Sequence, residues 1–373
     1  MRIRLKIKPL KLSVVILNYN AAAFLELCIY SVLRATKNID SEIIVADNNS
    51  TDGSLEMLAS VYGDRIKVIV HEENYGFSKG NNVAVAQAQG NYLCILNPDT
   101  LVGEKVFEEC LAFAQAEPKS GFIGVQLIDG TGKYLPESKR HVPTPKVARN
   151  KIMGNDRGYY FKEIGHNKRG KVDVLVGAFM FCNKRVYDDC GGFDERYFMY
   201  GEDIDLSYTA LQKGYQNYYI GDQKVIHFKG ESTIKDKIYR KRFFGAMGLF
   251  YDKYFKQSLL EKKAIALLID IMIVVKSTQR TPKKRSEDEM TLVIEEENFR
   301  LKDVTNHFNL ESFREHDTSN SIIIWDVKTI SFEDIVDFMS KNLKIKYHFL
   351  SPKRDFYIGS DDSATRGEIK YVQ

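Results

Sequence analysis

Residues 13–54 read SVVILNYNAAAFLELCIYSVLRATKNIDSEIIVADNNSTDGS, and this stretch decides the fold. Ser13–Leu17 is a short apolar run rich in β-branched residues, and the polar triplet Asn18-Tyr19-Asn20 stops it. Phe24–Leu33 then repeats its apolar residues at a helical period. A second β-rich run, Glu42–Ala46, ends at Asp47 and runs into Asn48-Asn49-Ser50-Thr51-Asp52-Gly53-Ser54, a cluster of turn formers. Strand, helix, strand at this spacing predicts a right-handed crossover and a parallel pair.

The alternation continues. A short helix is expected over Ser54–Val61, a strand over Ile66–Val70, a helix over Lys79–Gln89 ending at Gly90, a strand over Tyr92–Leu96 and a helix over Val106–Ala116. The class is therefore α/β, with a mostly parallel central sheet flanked by helices. Such sheets bind ligands at the carboxyl ends of their strands. The polar clusters 18–20, 47–52 and 97–99 each follow a strand directly.

Beyond Leu101 the pattern is mixed. Ile123–Ile128, Asp129-Gly130 and Lys133–Leu135 predict a hairpin. Pro136–Lys171, rich in Pro, Gly, Lys and Arg, reads as a long loop or lid over a site. A buried strand is expected over Val172–Phe181, a helix over Glu202–Gln212, a short strand over Val225–Phe228 and helices over Asp236–Tyr254 and Leu259–Val275. A charged linker follows at 277–289. Residues 290–373, with strands at Ser321–Trp325 and Tyr347–Leu350 around a helix at Phe332–Met339, form a small α/β region.

The 373 residues are 44% hydrophobic and 28% charged, an ordinary globular balance, and the net charge of +4 gives no reason to invoke nucleic acid. Met1–Lys11 carries five Lys/Arg and no acid, which reads as a solvated tail able to meet anionic lipid. Those basic residues interrupt any signal-peptide core. Ala264–Val275 is about half the length needed to cross a bilayer, and its expected place is a buried helix. Cys28, Cys94, Cys110, Cys182 and Cys190 are odd in number and show no C-x-x-C spacing, so they read as reduced thiols in a reducing, cytoplasmic compartment.

Four clusters carry chemistry. Asn18, Tyr19 and Asn20 with Asp47, Asn49 and Ser50 offer amides, a carboxylate and a ring to a nucleotide base; turn formation and helix capping are the competing use of the same residues. Gly76-Phe77-Ser78-Lys79-Gly80-Asn81-Asn82 opens a helix with a lysine in its first turn, as a phosphate site can. It is not a Walker loop, and no G-x-G-x-x-G occurs in the chain. Asn97-Pro98-Asp99 puts a carboxylate on the ligand edge, where it suits Mg²⁺ or Mn²⁺. Phe193-Asp194-Glu195 and Glu202-Asp203-Ile204-Asp205 supply carboxylates at the start of a helix, one of which can act as general base. His227 adds an imidazole after a strand.

The ordered set SVVILNYN (13–20), ADNNSTDGS (46–54), ENYGFSKGNN (73–82), LNPDT (96–100), VGAFMF (176–181), GGFDERYFMYGEDIDLSYTA (191–210) and VIHFKGEST (225–233) resembles the family 2 glycosyltransferases of GT-A fold. The likeness is greatest to rhamnosyltransferase-type enzymes of bacterial surface-polysaccharide assembly, and it covers Leu12 to Thr233. It implies a catalytic domain over 1–235, with a nucleotide-binding half at 12–101, an acceptor half at 102–235 and a helical extension at 236–276. It implies inverting transfer of a sugar from a dTDP- or UDP-sugar, dTDP-rhamnose among them, to a glycan or lipid-linked glycan. Asp203 would be the base, with Glu202 supporting the acceptor. Asn18, Tyr19, Asn20, Asp47, Asn49, Gly76, Lys79, Asn82 and Asn97 would hold the donor, and Asp99 and His227 the divalent cation. Asn97 stands where many members carry an Asp, which leaves the metal site less negative. Rival readings are a nucleotidyltransferase, which wants a basic Gly-rich loop where 18–21 has none, a non-catalytic nucleotide-sugar binder and a nicotinamide enzyme. The expected place is the cytoplasm, with peripheral contact to the membrane.

Overall fold

The computed structural model describes residues 11–152, 155–156, 158–228, 237–255, 289–293, 304, 306–309, 311, 313, 321–343, 345–360 and 367–372. The basic tail at 1–10, the apolar run at 264–275 and the linker at 277–288 lie outside them. In chain order the elements begin β1(Leu12–Asn18), α1(Ala22–Ala35), β2(Ser41–Asp47), α2(Ser54–Met57), β3(Lys67–Val70), α3(Gly76–Val85), β4(Tyr92–Leu96), β5(Thr100–Val102), α4(Val106–Ala116) and β6(Ser120–Ile128). They continue through β7(Lys139–Arg140), α5(Pro145–Ile152), β8(Arg169–Val172), β9(Val174–Leu175), β10(Phe179–Asn183), α6(Lys184–Cys190), α7(Glu202–Gln212), β11(Gln216–His227) and α8(Lys237–Tyr254).

The main sheet runs β3-β2-β1-β4-β10-β6-β11-β5, with β8 added to β11. The strands β3, β2, β1 and β4 are parallel, as the alternation predicts. Past β4 the sheet turns mixed: β10 is antiparallel to β4 and β6, β11 parallel to β6, and β5 antiparallel to β11. Val14, Ile16, Val45, Cys94 and Leu96 are buried against Leu25, Cys28, Ile29 and Val32 of α1. Removing each such side chain from water contributes about 1.5–3 kcal/mol. The hairpin after β6 forms, with Asp129 N–H donating to Lys133 O and Leu135 N–H to Leu127 O.

Two expectations change. The strand expected over Val172–Phe181 is divided among β8, β9 and β10: Asp173 separates Val172 from β9, and Val176-Gly177-Ala178, where the Gly177 amide donates to Asp203 (3.0 Å), separates β9 from β10. The short strand expected from Val225 is the end of the longer β11, whose Gly221-Asp222 interruption hid its first half. There the pairing with β6 shifts register between Ile220 and Lys224.

A second sheet follows: β12(Glu289–Val293), β13(Asn306–Phe308), β14(Ser321–Asp326), α9(Phe332–Lys341), β15(Lys346–Leu350), β16(Phe356–Ser360) and β17(Glu368–Tyr371). Its order is β13-β12-β14-β15-β16-β17, parallel as far as β15 and antiparallel beyond. It shares a core with the main sheet. Phe24, Leu27, Leu101, Ile226 and Phe228 are buried with Phe313, Ile323, Trp325, Phe332 and Phe349. The Phe228 ring sits edge-on between Phe24 (5.2 Å) and Phe349 (5.3 Å). The Glu104 carboxylate caps α9, accepting from Phe332 N–H (3.1 Å) and Glu333 N–H (2.9 Å), and Arg34 bonds Glu104 and the Val327 and Ile330 carbonyls. Gly132, at φ +83°, comes so near that an added Cβ would lie 2.3 Å from Met339 O.

Candidate active site

The first cluster is built by the adjacent ends of β1 and β2, where Asn18 and Asp47 stand in register. Asn18 Nδ2 donates to Asp47 Oδ2 (2.8 Å) and Ser50 Oγ (3.1 Å). Asp47 Oδ1 accepts from Ser50 N–H (2.8 Å), and Asn20 Oδ1 accepts from Thr51 N–H (2.7 Å). Asn20 and Asn49 adopt φ of 53° and 63°, left-handed angles that Asn tolerates better than most residues. Asp47 is fully buried, so its carboxylate organises the two turns from beneath. Tyr19, 38% exposed, and Asn49 are what the cluster presents outward.

Behind it lies a residue the sequence reading passed over. His71, buried at the end of β3, pairs Nδ1 with Asn48 Oδ1 (2.7 Å) and stacks on Tyr75, whose ring lies 3.8 Å from the Lys79 ammonium. Burial lowers the His71 pKa and favours the neutral ring. Its one sequence signal was its place just after a strand, the same signal that singled out Asp47.

The first amides of the glycine-rich segment have partners within the protein. Gly76 N–H donates to Asn74 Oδ1 (2.9 Å), and Phe77 N–H to Phe198 O (2.6 Å). Gly76, at φ +76°, is required because a Cβ would lie 2.3 Å from Phe198 O. Asn82 is likewise committed within the protein. It donates to Phe193 O and Glu195 Oε1 and accepts from Tyr187 Oη–H (2.6 Å) and Phe193 N–H. These residues fasten α3 to the 187–198 segment, and Lys79, the one charged residue of the motif, is exposed with its ammonium over the Tyr75 ring.

The third cluster forms where β11 pairs with β5, setting His227 opposite Thr100. His227 Nε2 lies 3.4 Å from Asp99 Oδ1 and 3.5 Å from Asn97 Nδ2, with Asp99 and His227 both buried. His227 Nδ1 has no hydrogen-bond partner among the described residues. No group of three or more His, Cys, Asp or Glu gathers for a metal among those residues. A buried carboxylate beside an imidazole nevertheless fits a divalent cation that draws its remaining ligands from a diphosphate.

In the fourth cluster most acids are structural. Asp194 is bound by Arg196 and then Lys253, which hold its carboxyl well below the usual range. Asp205 is tied to Lys253 of α8 (2.8 Å). That leaves Glu202 and Asp203, both buried. Asp203 Oδ2 accepts from Arg140 Nη2 (2.6 Å) and Gly177 N–H (3.0 Å), and Oδ1 from Ile204 N–H (2.7 Å). Arg140 comes from the segment read as an irregular lid. The short β7–β9 ribbon places it there, and Lys139 anchors the same ribbon to the Phe161 and Ile164 carbonyls.

Burial first, and then the Asp203 charge, push the Glu202 carboxyl from 4.5 up to about 8. Burial thus favours the neutral form of Glu202. A carboxyl with a raised folded pKa stabilises fully below its unfolded value, and that contribution is lost as pH rises through the folded one. The melting temperature should therefore fall between about pH 5 and 8, by the equivalent of a few kcal/mol. Glu202→Gln should flatten that slope in a pH series of melts; an unchanged slope would assign it to another group.

One turn links three of the clusters. Gly177 N–H bonds Asp203, Ala178 O accepts from Asn97 N–H (3.0 Å), and the Phe77 ring lies 3.4 Å from where a Gly177 Cβ would be. The acid pair, the Asn97–Asp99 edge and the glycine-rich helix thus meet at residues 176–178.

Residues 13–191 match the model of glycosyl transferase family 2. The chain is 26% identical over 243 residues to the N-acetylglucosaminyl-diphospho-decaprenol L-rhamnosyltransferase of Mycobacterium tuberculosis, covering 60% of this chain and 78% of that one. It is 27% identical over 219 residues to a low-salt glycan biosynthesis hexosyltransferase of Haloferax volcanii, covering 58% and 65%. Among solved structures it is similar to a Pyrobaculum calidifontis mannosyltransferase, at 16% identity and a TM-score of 0.47 over 71% of this chain and 70% of that one.

Proposed function

Residues 13–191 belong to glycosyl transferase family 2, and from that premise we propose that this glycosyltransferase inverts the anomeric centre of a dTDP- or UDP-linked sugar as it moves it to a hydroxyl of a glycan or lipid-linked glycan. The observation that carries the reading is the 176–178 turn, which gathers the acid pair and the diphosphate-facing edge. The rhamnosyl transfer named for the mycobacterial relative favours dTDP-rhamnose as donor and a lipid-linked acceptor.

Tyr19 and Asn49 meet the nucleoside, on turns held by Asn18, Asn20 and Asp47. Lys79 supplies positive charge on the donor side. Asp203 takes the proton of the acceptor hydroxyl as the O–H bond breaks. The freed oxygen attacks the anomeric carbon from the face opposite the nucleotide. The carbon–oxygen bond to the diphosphate breaks, with its electron pair left on the diphosphate. Asp99 and His227, with Asn97 beside them, would hold a divalent cation, whose chemistry there is to neutralise the departing diphosphate. Neutral Glu202 offers the acceptor a hydrogen-bond donor. Among the described residues no helix is long and apolar enough to cross a membrane; we place the reaction at the cytoplasmic face, where a lipid-linked acceptor is met.

Thermal-shift titration with UDP, dTDP, GDP, CDP and NAD, each with and without Mn²⁺, tests this. A ligand at a hundredfold its Kd should raise the melting point by about 5 °C. The expected pattern is an Mn²⁺-dependent shift with UDP or dTDP alone. A folded sample that responds to none of the diphosphates would remove the donor assignment.

A further inference from the structure

We propose that Arg140 is the positioning residue of the base, fixing the Asp203 carboxylate through one oxygen so that the other receives the acceptor proton. The inference rests on the reading of Asp203 as base. Arg140 Nη2 donates to Asp203 Oδ2 (2.6 Å) and to Leu175 O (2.7 Å), so a single nitrogen ties the carboxylate to the β9 backbone. The Gly177 amide donates to the same Oδ2. Two donors on one oxygen set both the rotamer and the plane of the carboxylate. Oδ1 keeps the Ile204 amide and a second lone pair.

A merely structural bridge would have its donors satisfied, since buried polar groups almost always are. Arg140 does not: its Nε–H is buried without a partner among the described residues, on a side chain only 9% exposed. The pair is placed with one donor in reserve, beside Glu202, whose Oε2 is also buried and unpartnered. Two buried polar atoms without a partner thus belong to residues that adjoin the proposed base. The guanidinium lies against the Asp203 carboxylate at 2.6 Å. Its planar fork matters, because an ammonium has the charge without the fixed geometry.

The test measures nucleoside diphosphate released from dTDP-rhamnose, UDP-glucose and UDP-GlcNAc with water as acceptor, on the full chain. Arg140→Ala should lower kcat by about 10²-fold, with donor Kd changed less than about twofold. Guanidinium ion at a non-denaturing concentration should restore part of the loss. Arg140→Lys, which keeps a charge in the core if the alanine variant fails to fold, should give an intermediate kcat at an unchanged Kd. A fall in kcat and donor affinity together, tracking the loss in melting temperature and without guanidinium rescue, would make the pair structural and overturn the proposal. Full turnover by Asp203→Asn, or no release from any donor by the parent protein, would instead remove the base reading underneath it.

Discussion

Asp203→Asn should lower turnover by about 10³-fold while leaving the nucleotide-induced thermal shift unchanged. The substitution keeps the shape of the side chain. Its carbonyl oxygen can still accept from the Gly177 amide and Arg140, which bond Asp203 at 3.0 and 2.6 Å. What disappears is the capacity to take a proton. The buried guanidinium also loses its counter-charge, so some stability is lost as well. A melt of the unliganded variant measures that loss separately. A single-turnover assay with saturating donor reads the chemical step alone. Turnover within a few-fold of the parent would show that the proton goes elsewhere.

The second large effect is expected at Asp99. Asp99→Ala should bring the affinity for UDP or dTDP measured with Mn²⁺ down to the value measured without it, and lower turnover by 10²-fold or more, on the order of several kcal/mol of charge stabilisation. The reason is the sparse donor set. His227 Nε2 lies 3.4 Å from Asp99 Oδ1, and Asn97 stands in place of a second acid. With so little negative charge at the edge, one carboxylate carries most of the attraction for a cation. Isothermal titration with Mn²⁺ alone and with Mn²⁺ plus nucleotide separates the two affinities. A variant that keeps metal-enhanced nucleotide binding would move the cation away from this edge.

The fold of residues 12–101 was legible because its signals are local. The apolar run before Asn18 and the one ending at Asp47 are strands in register, and the helix over 106–116 begins and ends where its period does. Chemistry that depends on distant partners was not legible. The neighbours of Asn82 and Gly76 within the protein are Phe193 and Phe198, more than a hundred residues later, and no local pattern announces them. Arg140 was hidden as well. Its segment has no period, and a two-residue strand leaves no trace in a hydrophobic pattern. The break at Gly177 was invisible too, since 174–181 is apolar throughout and the break coincides with a hydrogen bond to Asp203.

The shared core of the two sheets also has a spectroscopic consequence. Trp325 is the only tryptophan in the chain, fully buried and stacked near Tyr347 at 6.3 Å. Its indole N–H has no hydrogen-bond partner among the described residues. An indole in such surroundings emits at short wavelength and shifts to the red when water reaches it. Intrinsic fluorescence therefore watches the C-terminal core, with Phe24 and Phe228 as its members from the main sheet. A melt followed by this emission, set beside one followed by backbone circular dichroism, reads the two sheets through different windows: coincident curves mean that they come apart together, and an earlier colour change means that the second sheet lets go first.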